Sequence, residues 1–489
     1  MRRNVLAFSS VFILALATIE ACSPDAPDIE DPVDTDANHD ADRDVDAHHD
    51  AWIDLPTAEF MPGELLIQYE PGATEWQKVA ARGRLGAVVA ERIHTGAMRR
   101  SGAGSLERVS LPPTMDVAIA ARALDNAPGV AFAEPNYIYR HTADSNDPSY
   151  LDGDLWGTYG DSSSPANQFG SQAAEAWAMG HIGNIGDIGN IETSDESNDV
   201  VVGIIDTGVD IDHIDLAANI WTNPTVVDGV GTDGNNFAND LHGWDFFHND
   251  NTVFDAGDGD SHGTHVAGTI GAVGGNGIGV AGVNWHVKMV VAKFLGPNGG
   301  TTANAVKAVD YMTGLKQSGV NLVATNNSWG GGGFSSALYN AIKRANAAGI
   351  AFVAAAGNRG RNTDSWLFPN YPSGYAVDNV ISVAAIDENG NLASFSNYGK
   401  KTVDLGAPGV RILSTVPSNN YAYFSGTSMA TPHVTGAIAL LMAAAPSDPP
   451  NHLAVRAALL DTTIPTPALQ NKSVTGGRLD IASFLTEDL

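Results

Sequence analysis

The chain has 489 residues, 56 acidic against 26 basic, a formal net charge of −30 and one cysteine. So large an acidic excess argues against a nucleic-acid partner, whose phosphates need a basic surface, and a lone thiol excludes an internal disulfide. The length leaves room for a tether, a small domain and one large core.

The first 22 residues open on Arg2-Arg3, run through an apolar stretch from Val5 to Ile19 and end in Ile-Glu-Ala-Cys. A positive start before a short apolar stretch is an export signal, too short for a stable membrane span. Its end resembles a bacterial lipobox, with Cys22 as the residue acylated after cleavage. Glu20 is unusual there, and ordinary signal-peptidase cleavage beside an incidental cysteine is the alternative. Residues 23–56 are rich in Asp with some Pro and His and lack apolar periodicity, which predicts a disordered, self-repelling tether. His39, His48 and His49 could sequester divalent ions there, but a solvated spacer explains them as well. Residues 57–140 read as a small domain of strand, helix, two strands, helix and strand. GELLIQYEPG, SLERVSLP and VAFAEPNYIYR are strand-like, while TEWQKVAARGRLGA and MDVAIAARALDNAPG are helical.

Residues 141–489 carry the chemistry. Val201 to Ile205 is an unbroken apolar run, the pattern of a parallel strand buried on both faces, and it stops at Asp206-Thr207-Gly208. That puts a carboxylate at a strand's carboxyl end, where open α/β sheets place their sites. DSHGTHVAGTI brings His262 at the opening of a helix. FSGTSMATPHV brings Ser428 at the start of an Ala-rich helix apolar almost all round, beside free backbone N–H donors. Serine is a poor nucleophile unless a base takes its proton and a carboxylate orients that base, so an acid, a histidine and a serine in this setting point to nucleophilic hydrolysis. His262 and His265 could instead be a metal pair, but no Glu or Cys stands near them, and His265 and His433 read as packing behind the site.

These segments, with AFVAAAGNRG around Asn358, resemble the subtilisin-like serine proteases, or subtilases, over roughly Asp147 to the C-terminus. The resemblance implies an α/β fold: a three-layer subtilisin-like domain with a mostly parallel central sheet, preceded by a small ferredoxin-like α+β propeptide. It implies that Asp206 orients, that His262 is base and acid, that Ser428 attacks, and that Asn358 donates to the oxyanion. Ser328, Trp329 and Gly330 would form one S1 wall and Ala355, Ala356 and Gly357 the other, with Asn370 near the floor. Arg359 would stand at the rim, and Gly299 and Gly300 would lie in a strand on the S4 side. Tyr371-Pro372 matches a turn holding a cis proline.

The same resemblance implies structural calcium. Asp147, Asp215, Asn276 and the carbonyls of Val273, Ile278 and Val280 match a tight site, although the loop carries one extra residue. Asp245, Asp250 and Thr252 match a weaker site in which His248 stands where a carboxylate is expected, and a solvated acidic loop is the alternative there. The implied protein is a monomeric zymogen, inhibited by its own propeptide until cut between Arg140 and Asn146. It would be exported, and either stays at the envelope through Cys22 or is released by that cut. The competing reading is a surface binding protein that keeps the fold without turnover.

Overall fold

The computed structural model describes residues 60–93, 98, 104–137, 145–184, 199–227, 230–231, 237–331, 333–445 and 449–487. The export signal, Cys22, the tether and most of the Arg140–Asn146 stretch lie outside them. The chain divides into two compact units, Met1–Ile138 and Tyr139–Leu489.

The first unit contains β1 (Phe60–Tyr69), α1 (Glu75–Leu85), β2 (Val88–Ile93), β3 (Leu106–Ser110), α2 (Val117–Ala123) and β4 (Val130–Tyr137). The sheet runs β2-β3-β1-β4 with every pairing antiparallel, the expected ferredoxin-like order. Leu65, Ile67 and Tyr69 alternate along β1 and are fully buried, as a strand with one covered face requires. Helix α1 starts at a capping box in which Thr74 and Gln77 satisfy each other's backbone N–H, and it stops at Gly86 in the left-handed region, φ 61°. Between them lies a pair the sequence did not announce: Glu107, 2% exposed, bonded by Arg82 at 2.6 Å and by the Tyr69 hydroxyl at 3.0 Å.

The second unit is built on β5 (Val201–Asp206), β6 (Gly243–Asp245), α3 (Ser261–Gly271), β7 (Lys288–Lys293), α4 (Thr302–Gln317), β8 (Leu322–Asn327) and α5 (Ser336–Ala347). It continues with β9 (Ala351–Ala355), β10 (Val380–Ile386), β11 (Leu405–Pro408), the hairpin β12 (Ile412–Val416) and β13 (Asn420–Phe424), α6 (Thr427–Ala444), β14 (Ile464–Pro465) and β15 (Gly477–Arg478). The main sheet has the order β14-β15-β11-β10-β9-β8-β5-β7-β6, parallel throughout except for β14 at the edge. Val202 and Ile204 of β5 join the core that holds α3 and α6, while Val201 and Ile205 join the core that holds α4 and α5. Both faces are covered, which is why the central strands are apolar without alternation. Among the described residues no helix is long and apolar enough to cross a membrane.

Candidate active site

Asp206 ends β5, an interior strand third from the β6 edge of the sheet, and is fully buried. His262 lies in the first turn of α3, and its Nδ1 is 2.7 Å from Asp206 Oδ1. Three small residues permit this approach. The Thr207 hydroxyl accepts the Gly263 N–H at 3.0 Å, and a Cβ at Gly263 would collide with the Gly208 carbonyl. Burial pulls the His262 imidazole down, but the charge and hydrogen bond of Asp206 together outweigh it and hold the pKa above its usual value.

Ser428 is 9% exposed in the first turn of α6. Pro432 lies four residues on and has no N–H, so the Ser428 carbonyl lacks its helical donor; the Ser328 hydroxyl supplies one instead at 2.7 Å. In return Ser428 Oγ donates to the Ser328 carbonyl at 3.0 Å. The nucleophile candidate is thus laced to the segment that follows β8.

Asn358 follows β9. Its Oδ1 accepts both the Thr427 N–H and the Thr427 hydroxyl at 2.9 Å, which fixes the amide so that Nδ2 faces outward as a donor. The Ser428 N–H has no acceptor among the described residues, as expected for a helix's first turn. A Cβ built on Gly426 would sit 3.3 Å from Asn358 Nδ2 and 3.5 Å from Ser428 N, so the two donors converge on the space in front of this glycine. Gly426 has an extended backbone, φ 170°, that any residue adopts. On the expected oxyanion roles of these two donors, Gly426→Ala should fold normally and lose roughly 10²–10³-fold in kcat, because a methyl fills the space between the two N–H groups. Peptide hydrolysis measured beside an unchanged thermal midpoint checks this.

The two predicted walls flank Asn370. A Cβ on Gly330 would lie 3.1 Å from Asn370 Nδ2, and one on Gly357, φ 98°, would lie 2.8 Å from Asn370 Oδ1. Asn370 Nδ2 donates to Ser373 Oγ at 2.9 Å and contacts the Ala355 carbonyl at 3.4 Å. Tyr371–Pro372 is cis. Trp329 packs edge-on against Phe294 behind its wall, ring centroids 4.8 Å apart. The Gly296–Thr301 segment differs from the expected strand. Gly296 and Gly299 bond each other's backbone and close a tight turn over Pro297-Asn298, the preferred residues for such a turn, with Gly299 at φ 88° and Gly300 just beyond it.

The profile of the subtilase family matches residues 197–480, and that of the fervidolysin N-terminal prodomain matches residues 49–136. The chain belongs to the subtilase family. It is similar to the thermophilic serine proteinase of Bacillus sp. (strain AK1), 32% identical over 407 residues that cover 82% of each chain. It is also similar to an extracellular protease of Xanthomonas campestris pv. campestris, 33% identical over 416 residues, 78% of this chain and 66% of that one. Thermitase of Thermoactinomyces vulgaris is 39% identical over 246 residues, half of this chain and 76% of the relative. A protease of Pseudoalteromonas arctica PAMC 21717 superposes with TM-score 0.52 at 30% identity, covering 70% of this chain and 99% of that one. The chain is accordingly a subtilisin-like serine endopeptidase with an N-terminal prodomain.

One network in this subtilase escaped the sequence reading. Lys293, fully buried at the end of β7, pairs in register with Asp206 on the neighbouring strand. Its ammonium lies 2.7 Å from Asp260, 3.0 Å from Asp255 and 3.0 Å from Asp258. Asp260 immediately precedes α3 and so links the lysine to the helix that carries His262. Burial pushes the Asp260 carboxyl up to about 6, against the pull of Lys293, and the three carboxylates hold the lysine charged despite its burial. The one available signal was a Lys ending an apolar strand. Lys293→Met leaves three acids without their cation, a cost of about 3 kcal/mol given that Asp255 is partly exposed, so the thermal midpoint should fall by on the order of 4 °C in a differential scan.

His265 and His433 lie behind the site. His265 Nε2 meets the Ile412 and Ala422 carbonyls at 2.9 and 3.0 Å and stacks on Phe424, and His433 Nδ1 meets the Met429 carbonyl at 2.9 Å. Burial takes both imidazoles down to about 4, so they are neutral packing groups.

Asp147 and Asp215 are fully buried. Asp147 accepts the N–H groups of Gly275, Asn276 and Gly277 and the Ser145 hydroxyl; Asp215 accepts from Asn276 Nδ2, the Val280 N–H and the Tyr421 hydroxyl. Every partner is neutral, and burial, with the charge of Asp147 added, raises the Asp215 pKa. Two buried carboxylates with no counter-charge fit a hard divalent cation, although Asn276 differs from the expected ligand: its Nδ2 faces Asp215 while its Oδ1 accepts the Ile278 N–H at 2.7 Å. The second predicted set is adjacent in the fold, with Asp245 and Asp250 exchanging backbone bonds at 2.8 and 3.1 Å, but its carboxylates have other partners. Asp245 groups with His248 and Asp255, ligand atoms within 4.8 Å, while Asp250 Oδ1 caps the Thr252 N–H at 2.9 Å. His248 Nδ1 meets Asp245 Oδ2 at 2.8 Å, and the Phe247 and His248 N–H groups occupy Oδ1.

Proposed function

We propose that Ser428, His262, Asp206 and Asn358 hydrolyse peptide bonds through an acyl-enzyme, and that the protein is made as an exported zymogen braced by calcium. The observation that carries this reading is the convergence of Asn358 Nδ2 and the Ser428 N–H at the head of a helix that packs against the helix carrying the Asp206-oriented imidazole. For attack, Ser428 Oγ must leave the Ser328 carbonyl and turn to His262 Nε2, the ring nitrogen that Asp206 leaves free. His262 then accepts the hydroxyl proton as Oγ bonds to the scissile carbonyl carbon, and the carbonyl oxygen gains its negative charge between the two N–H donors. The imidazolium, stabilised by Asp206, passes that proton to the leaving amine as the C–N bond breaks. Water repeats the sequence on the ester and frees Ser428. The cleft between Ser328–Gly330 and Ala355–Gly357 would take the P1 side chain, with backbone pairing holding an extended substrate. Labelling by a fluorophosphonate tests the reading: purified protein, freed of residues 57–140, that neither labels nor cleaves casein would overturn it.

Calcium would be held by Asp147, Asp215, Asn276 and the Val273–Val280 loop, where it would supply the missing positive charge. Chelation is expected to lower the thermal midpoint by on the order of 5–10 °C. Asp215→Asn, which keeps the neutral partners but removes one of the two charges, should abolish that calcium dependence. Mass spectrometry of the exported protein reads both the processing bond near Arg140–Asn146 and the state of Cys22.

A further inference from the structure

The oxyanion candidate Asn358 and the pocket residue Asn370 are joined by a loop, 359–369, which carries Trp366-Leu367-Phe368 toward its Asn370 end. These three consecutive side chains are 86%, 57% and 44% exposed, presented by a turn in which the Phe368 N–H bonds the Ser365 carbonyl at 3.0 Å. So large an apolar projection on a soluble surface marks a binding site more often than chance. The charge beside it is the opposite of the chain's. Arg359 and Arg361 lie on the loop, and the segment carrying Lys400 and Lys401 is tied to it. The Tyr398 N–H bonds the Arg361 carbonyl at 3.0 Å, the Thr363 N–H bonds the Tyr398 carbonyl at 2.8 Å, and the Lys401 N–H bonds Asp364 Oδ1 at 3.0 Å. All four cations are exposed. Among the described residues none of them is in an ion pair, although the chain has 56 acids for 26 bases. The one acid of the patch, Asp364, is taken up by the Lys401 N–H and the Thr402 hydroxyl. Arg361 lies 5.0 Å over the Phe368 ring, so charge and aromatic surface form one face.

We propose that this loop is an exosite for protein substrates that carry an acidic segment with apolar side chains near the scissile bond. The inference rests on the endopeptidase reading and names its substrate class. Continuity decides the occupant, because the patch begins at the residue after Asn358 and any polypeptide in the cleft passes beside it. Charge decides its chemistry. An anionic membrane would satisfy the same residues, but a flat bilayer also meets the remaining surface of residues 141–489, which carry 34 acids against 14 bases, and is repelled, whereas an extended peptide feels only the patch within a Debye length of about 8 Å.

The test uses the processed enzyme and quenched peptides sharing one cleavage core. One set is extended on either side by an Asp/Glu stretch with Leu and Phe, the other by a neutral stretch. The acidic extension is expected to lower KM roughly tenfold at low salt with kcat unchanged, and the difference should vanish near 0.5 M NaCl. Arg361→Gln with Lys400→Gln and Lys401→Gln, and separately Trp366→Ser with Leu367→Ser, should raise KM only for the acidic peptides, with hydrolysis of the unextended core peptide unchanged as the check on folding. Equal KM values for the two sets would overturn the exosite. So would variants that lose binding to phosphatidylserine vesicles while cleaving both sets as the parent does. Absence of cleavage of the core peptide itself would instead sink the endopeptidase reading.

Discussion

Ser428→Ala is expected to leave the fold intact and to remove about 10⁶-fold of kcat, the loss measured when a subtilisin is stripped of its nucleophile. The substitution deletes one hydroxyl, whose only described bond as donor is to the Ser328 carbonyl. The Ser428 carbonyl still receives the Ser328 hydroxyl, and the Asn358–Thr427 contacts are untouched. Stability should therefore change little while fluorophosphonate labelling disappears. If the zymogen cuts itself, the variant should also accumulate as the unprocessed chain, read on a gel. Appearance of the mature size in a protease-deficient host would show that another enzyme does the cutting.

Asp206→Asn is expected to cost roughly 10⁴-fold in kcat/KM, the order known for this change in serine-protease triads. It should also move the acid limb of the pH profile. His262 acts as a base only when neutral, and Asp206 raises its pKa against the opposing effect of burial. Without that charge burial prevails, the imidazole loses its proton at lower pH, and the limb shifts acidward. A pH profile of the residual activity that kept its acid limb in place would show that another group sets it. The asparagine amide can also offer N–H where His262 needs an acceptor, which selects the wrong tautomer and accounts for most of the loss.

The proposed exosite and the acidic loop before α3 differ in how far the sequence shows them. Cations 400 and 401 are invisible in sequence as partners of a loop some 40 positions earlier; the bonds of Tyr398 to Arg361 and Thr363 and of Lys401 to Asp364 bring them together. The acidic loop is the converse. Its Asp-rich composition suggested a metal, but the structure turns much of that charge onto Lys293 and His248. A sequence records how much charge a loop carries, not which cation it meets.

The family, the triad candidates and the order of elements in the first unit are legible in the sequence. These are legible because they rest on local rules: an apolar strand must stop where a carboxylate appears, a helix must begin where its donors are free, and glycines mark the close approaches. Tertiary structure alone decided the rest. It set the amide orientation of Asn358 through Thr427, lent Ser428 a donor from Ser328 in place of the one Pro432 lacks, and folded Gly296–Thr301 into a turn. It also buried Lys293 beside Asp206. Each of these joins residues distant in the chain or trades one local preference for another, and such contacts depend on the packing of β5, β7, β8 and β9 rather than on any single segment.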